Sequence, residues 1–163
     1  MDICLLWAQA RKPVFSEDDA SGLGVEDLRR FHLLTERHPV LMGSRTWERI
    51  PRSLLAGRQS FVLTQKKVSI PGAVTCTSLH EAFTLASVLR SGKLFLLGGS
   101  ALYEQGLRVA DRLYVAHFEP DAQAEEAVMR SIDSRKFDLV SEDRTGSIGR
   151  ARLFQEYRRK RYH

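Results

Sequence analysis

Residues 93–104 read KLFLLGGSALYE, and this stretch decides the fold. Its first five residues form a nearly continuous apolar run, which predicts a buried strand. Gly98 and Gly99 predict a turn, and residues 100–107 predict a helix. A strand that passes through a glycine turn into a helix is the unit of an α/β sheet, so we expect parallel strands joined by helices.

The same alternation of strands and helices runs through the first two thirds of the chain. Strands are predicted at residues 3–8, 39–42, 59–64, 74–77 and 113–118, and helices at 25–37, 44–50 and 78–89. Ser78 is the expected N-cap of the last of these helices, with Glu81 completing a capping box. Two final strands, 137–144 and 151–158, follow one another around a turn without a helix.

This order predicts a single α/β domain that spans residues 1–163. We expect three layers, with a central mixed, mostly parallel sheet of about eight strands and helices on both of its faces. The two final strands are expected to form a C-terminal antiparallel hairpin.

The composition, with 43% apolar and 28% charged residues, is that of an ordinary soluble protein. No run reaches the roughly 18 apolar residues of a membrane span. Met1 leads into an apolar run without a basic segment, which indicates a first strand rather than a signal peptide and a cytoplasmic protein. Cys4 and Cys76 have no CxxC spacing, so they predict two reduced thiols and no metal site.

The net charge of +5 is compatible with an anionic partner but does not identify one. The densest basic cluster, residues 158–161, follows the last strand pattern. We interpret it as a solvated terminal tail and predict no nucleic-acid binding from it.

Asp27 is the one acid on the apolar side of the amphipathic helix predicted at 25–37. At about 100° per residue it falls with Leu28, Phe31, Leu34 and Thr35, whereas Glu26, Arg29, Arg30, Glu36 and Arg37 fall on the opposite face. A carboxylate that faces a core or a cleft needs hydrogen-bond donors. These come from the protein, which makes Asp27 structural, or from a ligand, which makes it functional.

Three turns follow the carboxyl ends of predicted strands, where α/β sheets bind their ligands. They are Gly43-Ser44-Arg45-Thr46, Gly98-Gly99-Ser100 and Thr64-Gln65-Lys66-Lys67. Glycine turns that open helices, together with exposed cations, suit a phosphorylated nucleotide lying across the sheet. The chain has neither GxGxxG nor GxxxxGK[ST], which disfavours the usual dinucleotide fold and the P-loop.

The motifs that carry these features resemble dihydrofolate reductase in order and spacing along nearly the whole chain. They are LLWAQA at 5–10, EDLRRF at 26–31, PVLMGSRTWERIP at 39–51, GR at 57–58 and LGGSALYE at 97–104. The opening LLWAQA is most similar to actinobacterial members. The resemblance implies NADPH-dependent reduction of 7,8-dihydrofolate to tetrahydrofolate for one-carbon metabolism, by a monomeric, cytoplasmic enzyme.

The resemblance also implies the residues of the substrate site. Asp27 matches the carboxylate that binds the 2-amino group and ring nitrogen of the pterin while a hydride reaches carbon 6 and a proton reaches nitrogen 5. Arg58 matches the arginine that binds the glutamate carboxylate of the substrate, for which a guanidinium is suited. The positions that match the lining of the folate pocket are apolar: Leu6, Leu28, Phe31, Ile50, Leu55 and Leu97.

For NADPH, the resemblance implies a site along the three turns. Trp7, Ala8 and Tyr103 match positions near the nicotinamide. Positions that match the phosphate and adenosine contacts are Gly43, Ser44, Arg45, Thr46, Leu63, Thr64, Gln65 and Lys66. The pyrophosphate turn matches Gly98, Gly99, Ser100, Ala101 and Leu102, and the bond between the two glycines is cis in this family.

Several positions depart from the family pattern. The loop at 15–25 lacks the Pro-Trp pair of the family's active-site loop, Ser44 replaces a basic residue, and Ala116 replaces a threonine that assists the carboxylate. Residues 124–127, AEEA, replace the usual Gly-Asp-Thr. Two alternatives therefore stay open: a reductase of a related pterin or riboflavin-pathway pyrimidine, and a paralogue that binds folate or nucleotide without catalysis.

Overall fold

The computed structural model describes residues 1–9, 25–118, 123, 127, 131–144 and 153–161, and its strands form one eight-stranded sheet. The strands are β1 (Asp2–Gln9), β2 (Val40–Gly43), β3 (Ser60–Leu63), β4 (Val74–Cys76), β5 (Lys93–Leu96), β6 (Arg112–His117), β7 (Phe137–Asp143) and β8 (Leu153–Arg159). The helices are α1 (Val25–Thr35), α2 (Ser44–Arg49), α3 (Leu79–Ser87) and α4 (Ser100–Val109), with a short 3-10 helix at Arg52–Leu55.

The sheet has the order β4-β3-β2-β5-β1-β6-β8-β7. Pairs from β4 to β6 are parallel, whereas β8 pairs antiparallel with both β6 and β7. This confirms the predicted mixed sheet, mostly parallel, with an antiparallel C-terminal pair. The 3-10 helix was not predicted, and it begins directly after Pro51.

Alternation along the strands divides the core into two layers. One layer joins Leu5, Leu96 and Leu113 to Ala82 of α3 and Leu102 of α4. The opposite face of the sheet packs against α1 and α2: Cys4, Met42, Phe95 and Tyr114 contact a cluster that includes Phe31 and Trp47. Helices therefore cover both faces, as the predicted three layers require.

Helix α1 ends at Thr35, two residues before the predicted end at Arg37. Arg37 has φ of 64°, the left-handed conformation that commonly terminates helices. His38 precedes Pro39, and a residue before proline is disfavoured in the helical conformation. The Thr35 hydroxyl donates to the Phe31 carbonyl oxygen at 2.8 Å, which satisfies this buried side chain within the last turn.

The predicted N-cap of α3 is confirmed, but the capping box is shifted by one residue. Ser78 Oγ accepts from the Glu81 backbone N–H at 3.0 Å. The Glu81 carboxylate accepts from the Thr77 backbone N–H at 2.9 Å and from the Thr77 hydroxyl at 2.8 Å, rather than from Ser78. These hydrogen bonds lower the pKa of Glu81, because they stabilise its charged form.

The prediction of a solvated basic tail is wrong for its first half. Arg158 and Arg159 lie within β8, and Arg159 Nε donates to the Ala110 carbonyl oxygen at 2.7 Å. Its guanidinium also lies 4.6 Å from the centre of the Phe137 ring. A cation at the carboxyl end of α4 is favoured by the free carbonyl groups there. The cluster is therefore partly structural.

Both cysteines are buried and free, as predicted. No helix in the described ranges is long and apolar enough to cross a membrane. The loop at 15–25, except for Val25, and residues 124–126 lie outside the described residues, as does the turn between the two final strands.

Candidate active site

The sheet opens between its two central strands. The parallel pairing of β1 with β5 stops at Leu5 and Leu96, whereas β1 stays paired with β6 as far as Gln9 and His117. Beyond this point the Tyr103 hydroxyl of α4 lies between the strands, 3.0 Å from the carbonyl oxygen of Leu6 and 3.1 Å from that of Leu97. Open α/β sheets bind ligands at such a divergence of strand carboxyl ends.

A cleft of about 500 Å³ lies at this opening. It is mainly apolar, as small-molecule sites usually are. Helix α1 forms one side, β1 forms the floor, and α4, β6 and β8 complete it. The lining residues are Leu6, Trp7, Ala8, Asp27, Arg30, Phe31, Leu34, Leu97, Tyr103, Ala116, Phe118 and Phe154.

Asp27 is the acidic residue of this lining, and 6% of its surface is exposed. It lies one helical turn before Phe31, whose ring is equally buried, so the predicted apolar face of α1 is confirmed. Across the cleft the side chains are apolar, including Ala116 of β6 and Phe154 of β8. A carboxylate in such a setting suits a flat ring that carries N–H donors.

The structure brings seven of the predicted residues to the cleft and places others behind it. The seven that line the cleft are Leu6, Trp7, Ala8, Asp27, Phe31, Leu97 and Tyr103. Ile50 and Leu55 do not line it, since they are buried in the core layer beside Phe31 and Leu97. Leu28 is half-buried on α1 and is likewise outside the lining.

Arg58 lies at the carboxyl end of α1. Its Nε donates to Thr35 Oγ1 at 2.9 Å, one terminal nitrogen donates to the Ala56 carbonyl oxygen at 2.8 Å, and the other contacts His32 Nδ1 at 3.0 Å. Partial burial lowers the pKa of Arg58. The guanidinium carbon is 6.0 Å from the centre of the Phe31 ring, so Arg58 borders the cleft without lining it.

The three turns predicted to bind phosphate meet along one edge of the sheet. The Gly43 backbone N–H donates to the Gly98 carbonyl oxygen at 2.8 Å, which joins the first turn to the second. Gly43 also pairs in register with Leu63, directly before the third turn at Thr64. This arrangement follows from the strand order β3-β2-β5, which places the three carboxyl ends side by side.

The other residues of this edge divide between core and solvent. Gln65 Nε2 donates to the Thr77 carbonyl oxygen at 2.7 Å, and the Lys66 backbone N–H donates to Thr64 Oγ1 at 3.2 Å. Exposed side chains are Ser44, Arg45, Gln65, Lys66, Ser100 and Ala101, whereas Thr46 is half-buried and Leu102 is buried. Arg45 and Lys66 thus supply two exposed cations at this edge.

The Gly98–Gly99 turn has the expected cis bond. Gly98 has φ of 112°, and a Cβ there would lie 3.0 Å from the Tyr103 hydroxyl oxygen, so only glycine fits. A Cβ on Gly99 would meet nothing within 4 Å, so the turn is open on the side of the ligand edge. Helix α4 begins there without a side-chain cap and without an acid in its first turn. Its N–H groups suit a phosphate, and the residues present therefore fit a dinucleotide.

The comparison with protein families agrees with this arrangement. The family model described as dihydrofolate reductase matches residues 2–159. The chain belongs to the dihydrofolate reductase family. Similar proteins with that name include one from Mycobacterium leprae, 34% identical over 74% of this chain and 78% of the relative. Another, from Neisseria meningitidis, is 29% identical over 82% of this chain and 83% of the relative.

Dihydrofolate reductase motifs did not indicate every residue at the cleft. Phe118 and Phe154 line the cleft but were not predicted. The alternation along β8 was a usable signal for Phe154, because its neighbours Leu153 and Gln155 are buried on one side of the strand and Phe154 faces the other. Ala116, noted from sequence as a departure from the dihydrofolate reductase pattern, lies in the lining.

The sequence-based assignment of Arg30 to the solvent face of α1 is wrong. Arg30 lines the cleft, and its guanidinium carbon lies 4.3 Å from the centre of the Phe154 ring. At about 100° per residue, Arg30 lies about 60° from Asp27 and about 40° from Leu34, at the border of the apolar face, and its long side chain reaches a neighbouring strand. Among the described residues, the lining of the dihydrofolate reductase cleft therefore includes one acidic residue, Asp27, and one basic residue, Arg30.

Proposed function

We propose that this chain reduces 7,8-dihydrofolate to 5,6,7,8-tetrahydrofolate with NADPH. The observation that carries the proposal is the meeting of a buried carboxylate and a phosphate-binding edge at one opening of the sheet. Asp27 lies in the cleft between α1 and β1, and the Gly98–Gly99 turn lies at the end of β5. Tyr103 contacts both strands between them. Membership of the dihydrofolate reductase family supports the same reaction.

In this proposal the chain positions the substrate ring by its edges and faces. Asp27 accepts hydrogen bonds from the 2-amino group and the adjacent ring nitrogen, since a buried carboxylate favours N–H donors as neighbours. Phe31 and Leu97 pack against the ring and exclude water from it. Arg58 binds the carboxylate at the glutamate end of the substrate as a bidentate donor.

The cofactor side of the proposal uses the three turns. When bound, NADPH supplies the hydride for carbon 6 of the pterin ring. The backbone N–H groups at the start of α4 bind the pyrophosphate, and Arg45 and Lys66 provide cations for the phosphates of the adenosine part. Trp7 and Tyr103, whose rings stack with centroids 5.6 Å apart, form the surface beside the nicotinamide.

The remaining parts of the proposal concern the whole molecule. We infer that residues 1–163 form one domain that acts as a monomer in the cytoplasm, without a nucleic-acid partner. Size-exclusion chromatography with light scattering tests the oligomeric state directly. A stable dimer with the same activity would overturn that part and leave the reaction untouched.

The reaction is tested with purified protein, NADPH and dihydrofolate, by following the oxidation of the cofactor. Asp27→Asn is expected to reduce the rate of hydride transfer at neutral pH by about a hundredfold or more, because the amide neither carries the charge nor accepts the same pair of donors. Asp138→Asn is a matched control, since Asp138 lies on β7 and pairs at 3.5 Å with Lys160 at the surface.

Each outcome separates the candidate functions. Turnover of dihydrofolate that is lost in Asp27→Asn and kept in Asp138→Asn supports the proposal. Binding of both ligands without turnover identifies a non-catalytic folate or nucleotide binder. Turnover of a ribosylamino-pyrimidine in preference to dihydrofolate identifies a reductase of the riboflavin-pathway type.

A further inference from the structure

Arg30 and Asp27 form a charged pair of residues at the substrate cleft. They are separated by three positions on α1, so their Cβ atoms lie about 5–6 Å apart on one side of the helix. Of the twelve residues that line the cleft in the described part of the chain, these two are the acidic and the basic residue. Tyr103 is the other titratable group in the lining, and burial raises its pKa, so it stays neutral.

The Arg30 guanidinium is held by two residues of the C-terminal hairpin. Its carbon lies 4.3 Å from the centre of the Phe154 ring, and its Nη2 lies 3.3 Å from Asp143 Oδ2. Asp143 of β7 and Phe154 of β8 are partners in register, so they contact Arg30 together. A stacked and bridged guanidinium has a defined position, and its charge therefore acts on the cleft from a fixed point.

Asp143 neutralises this charge only in part. Its side chain is 46% exposed and that of Arg30 is 32% exposed. Water screens an exposed pair, so each partner keeps an effect of its own on a third group nearby. Among the described residues, the charged or titratable groups near Arg30 are Asp27 and Arg29 on its own helix, Asp143 of β7, and the neutral Tyr103 of the cleft lining, while β8 contributes the uncharged Phe154.

We propose that Arg30 sets the pH range of hydride transfer by opposing the protonation of the substrate in the cleft. The inference rests on the proposed function, in which a proton must reach nitrogen 5 of the pterin. A positive charge at the cleft disfavours every added proton there, whichever group holds it before transfer. The rate of hydride transfer consequently falls at a lower pH than it would with a neutral residue at position 30.

Three variants and one control test this electrostatic role. Arg30→Met removes the charge but keeps an apolar stem over Phe154, and Arg30→Lys keeps the charge. Asp143→Asn removes the neutralising partner, so Arg30 acts with its full charge. Asp138→Asn removes a different surface pair from the same strand.

The measurement is the single-turnover rate of NADPH oxidation with saturating dihydrofolate across a range of pH. We expect the pH midpoint to rise by about half a unit to one unit in Arg30→Met. At pH values well above the midpoint, the rate of Arg30→Met, expressed as a fraction of its own rate at low pH, should therefore be about threefold to tenfold higher than that of the native protein. Asp143→Asn is expected to move the midpoint down by a smaller amount, while Arg30→Lys and Asp138→Asn keep it within about 0.2 units.

The opposite directions of the midpoint shifts in Arg30→Met and Asp143→Asn distinguish an electrostatic role of Arg30 from a structural one. If Arg30 only ties α1 to the hairpin, Arg30→Met and Asp143→Asn break the same bridge and move the midpoint in the same direction or not at all, which would overturn the inference. If the protein turns over dihydrofolate but no variant shifts the pH midpoint, the inference is overturned and the proposed function stands. Absence of turnover in the native protein overturns the proposed function and the inference together.

Discussion

The Tyr103 hydroxyl replaces strand pairing at the point where β1 leaves β5. It lies 3.0 Å from the Leu6 carbonyl oxygen and 3.1 Å from that of Leu97. Tyr103→Phe removes this oxygen and keeps the ring, which stacks on Trp7. Because burial raises the pKa of Tyr103, the hydroxyl remains a donor throughout the neutral range. The variant therefore removes one donor and nothing else from the opening of the sheet.

The expected loss of stability follows from the buried carbonyl groups. A hydrogen bond contributes about 0.5–1.5 kcal/mol, and a buried acceptor left without a donor costs about 1–3 kcal/mol. Because one hydroxyl proton serves two carbonyl oxygens in turn, the two contacts do not add fully. We expect Tyr103→Phe to lower the free energy of unfolding by about 1–3 kcal/mol. We also expect a higher KM for NADPH, because the hydroxyl binds the carbonyl oxygen of Leu97, the residue directly before the Gly98–Gly99 turn.

Urea unfolding followed by tryptophan fluorescence measures the first effect, and steady-state kinetics measure the second. The midpoint of unfolding should fall while the dependence on urea stays the same. Tyr157→Phe is the control, because its hydroxyl also has a buried partner, Gln155 Oε1 at 3.2 Å, but lies away from the cleft. Both variants should lose stability, and only Tyr103→Phe should raise the KM. A Tyr103→Phe protein within about 0.3 kcal/mol of the native one would refute the reasoning.

Two further predictions concern a turn and the thiols. Gly98→Ala places a Cβ 3.0 Å from the Tyr103 hydroxyl at φ of 112°, so we expect a loss of about 2 kcal/mol or more by urea unfolding, together with reduced turnover. Gly72→Ala, at φ of 86° with ordinary contacts from 3.8 Å, should cost less and leave turnover unchanged. Burial raises the pKa of Cys4 to about 12 and that of Cys76 to about 11 from the ordinary 9.0. The unfolded chain releases these protons first, so stability should fall as pH rises above 9.0, by up to about 1.4 kcal/mol per pH unit for each thiol, and less steeply in the Cys4→Ser Cys76→Ser double variant.

Local patterns predicted most of the fold because they report burial directly. The apolar run at 93–97 became β5, which is covered on both faces, and the pattern at 25–37 became α1 with Asp27 on its buried side. Ends of elements were less predictable, since they depend on single residues such as Arg37, whose left-handed backbone ends α1. Hydrophobic periodicity is a property of many residues, so it does not predict the backbone conformation of a single one.

Contacts between distant elements were beyond the reach of the sequence patterns. Arg30 was assigned to solvent because its position on the helix is polar, and its partners Asp143 and Phe154 are more than a hundred residues away. The basic cluster at 158–161 was interpreted as a tail for the same reason, since the carbonyl groups that Arg159 binds lie at the carboxyl end of α4, about fifty residues earlier in the chain. The motifs of the cofactor edge were easier, because each turn carries its own glycines and cations in sequence.

The end of the pairing between β1 and β5 at Leu5 and Leu96 also affects the stability of the fold. Only four registered pairs, from Asp2–Lys93 to Leu5–Leu96, join the two halves of the sheet at its centre. A ligand in the opening contacts both halves, so its binding free energy adds to the cost of pulling them apart. Ligand affinity and folding stability are thus linked where β1 pairs with β5. A mutation that weakens ligand binding therefore also lowers the stability of the protein in the presence of ligand, and proteases and chaperones gain easier access to the opened chain.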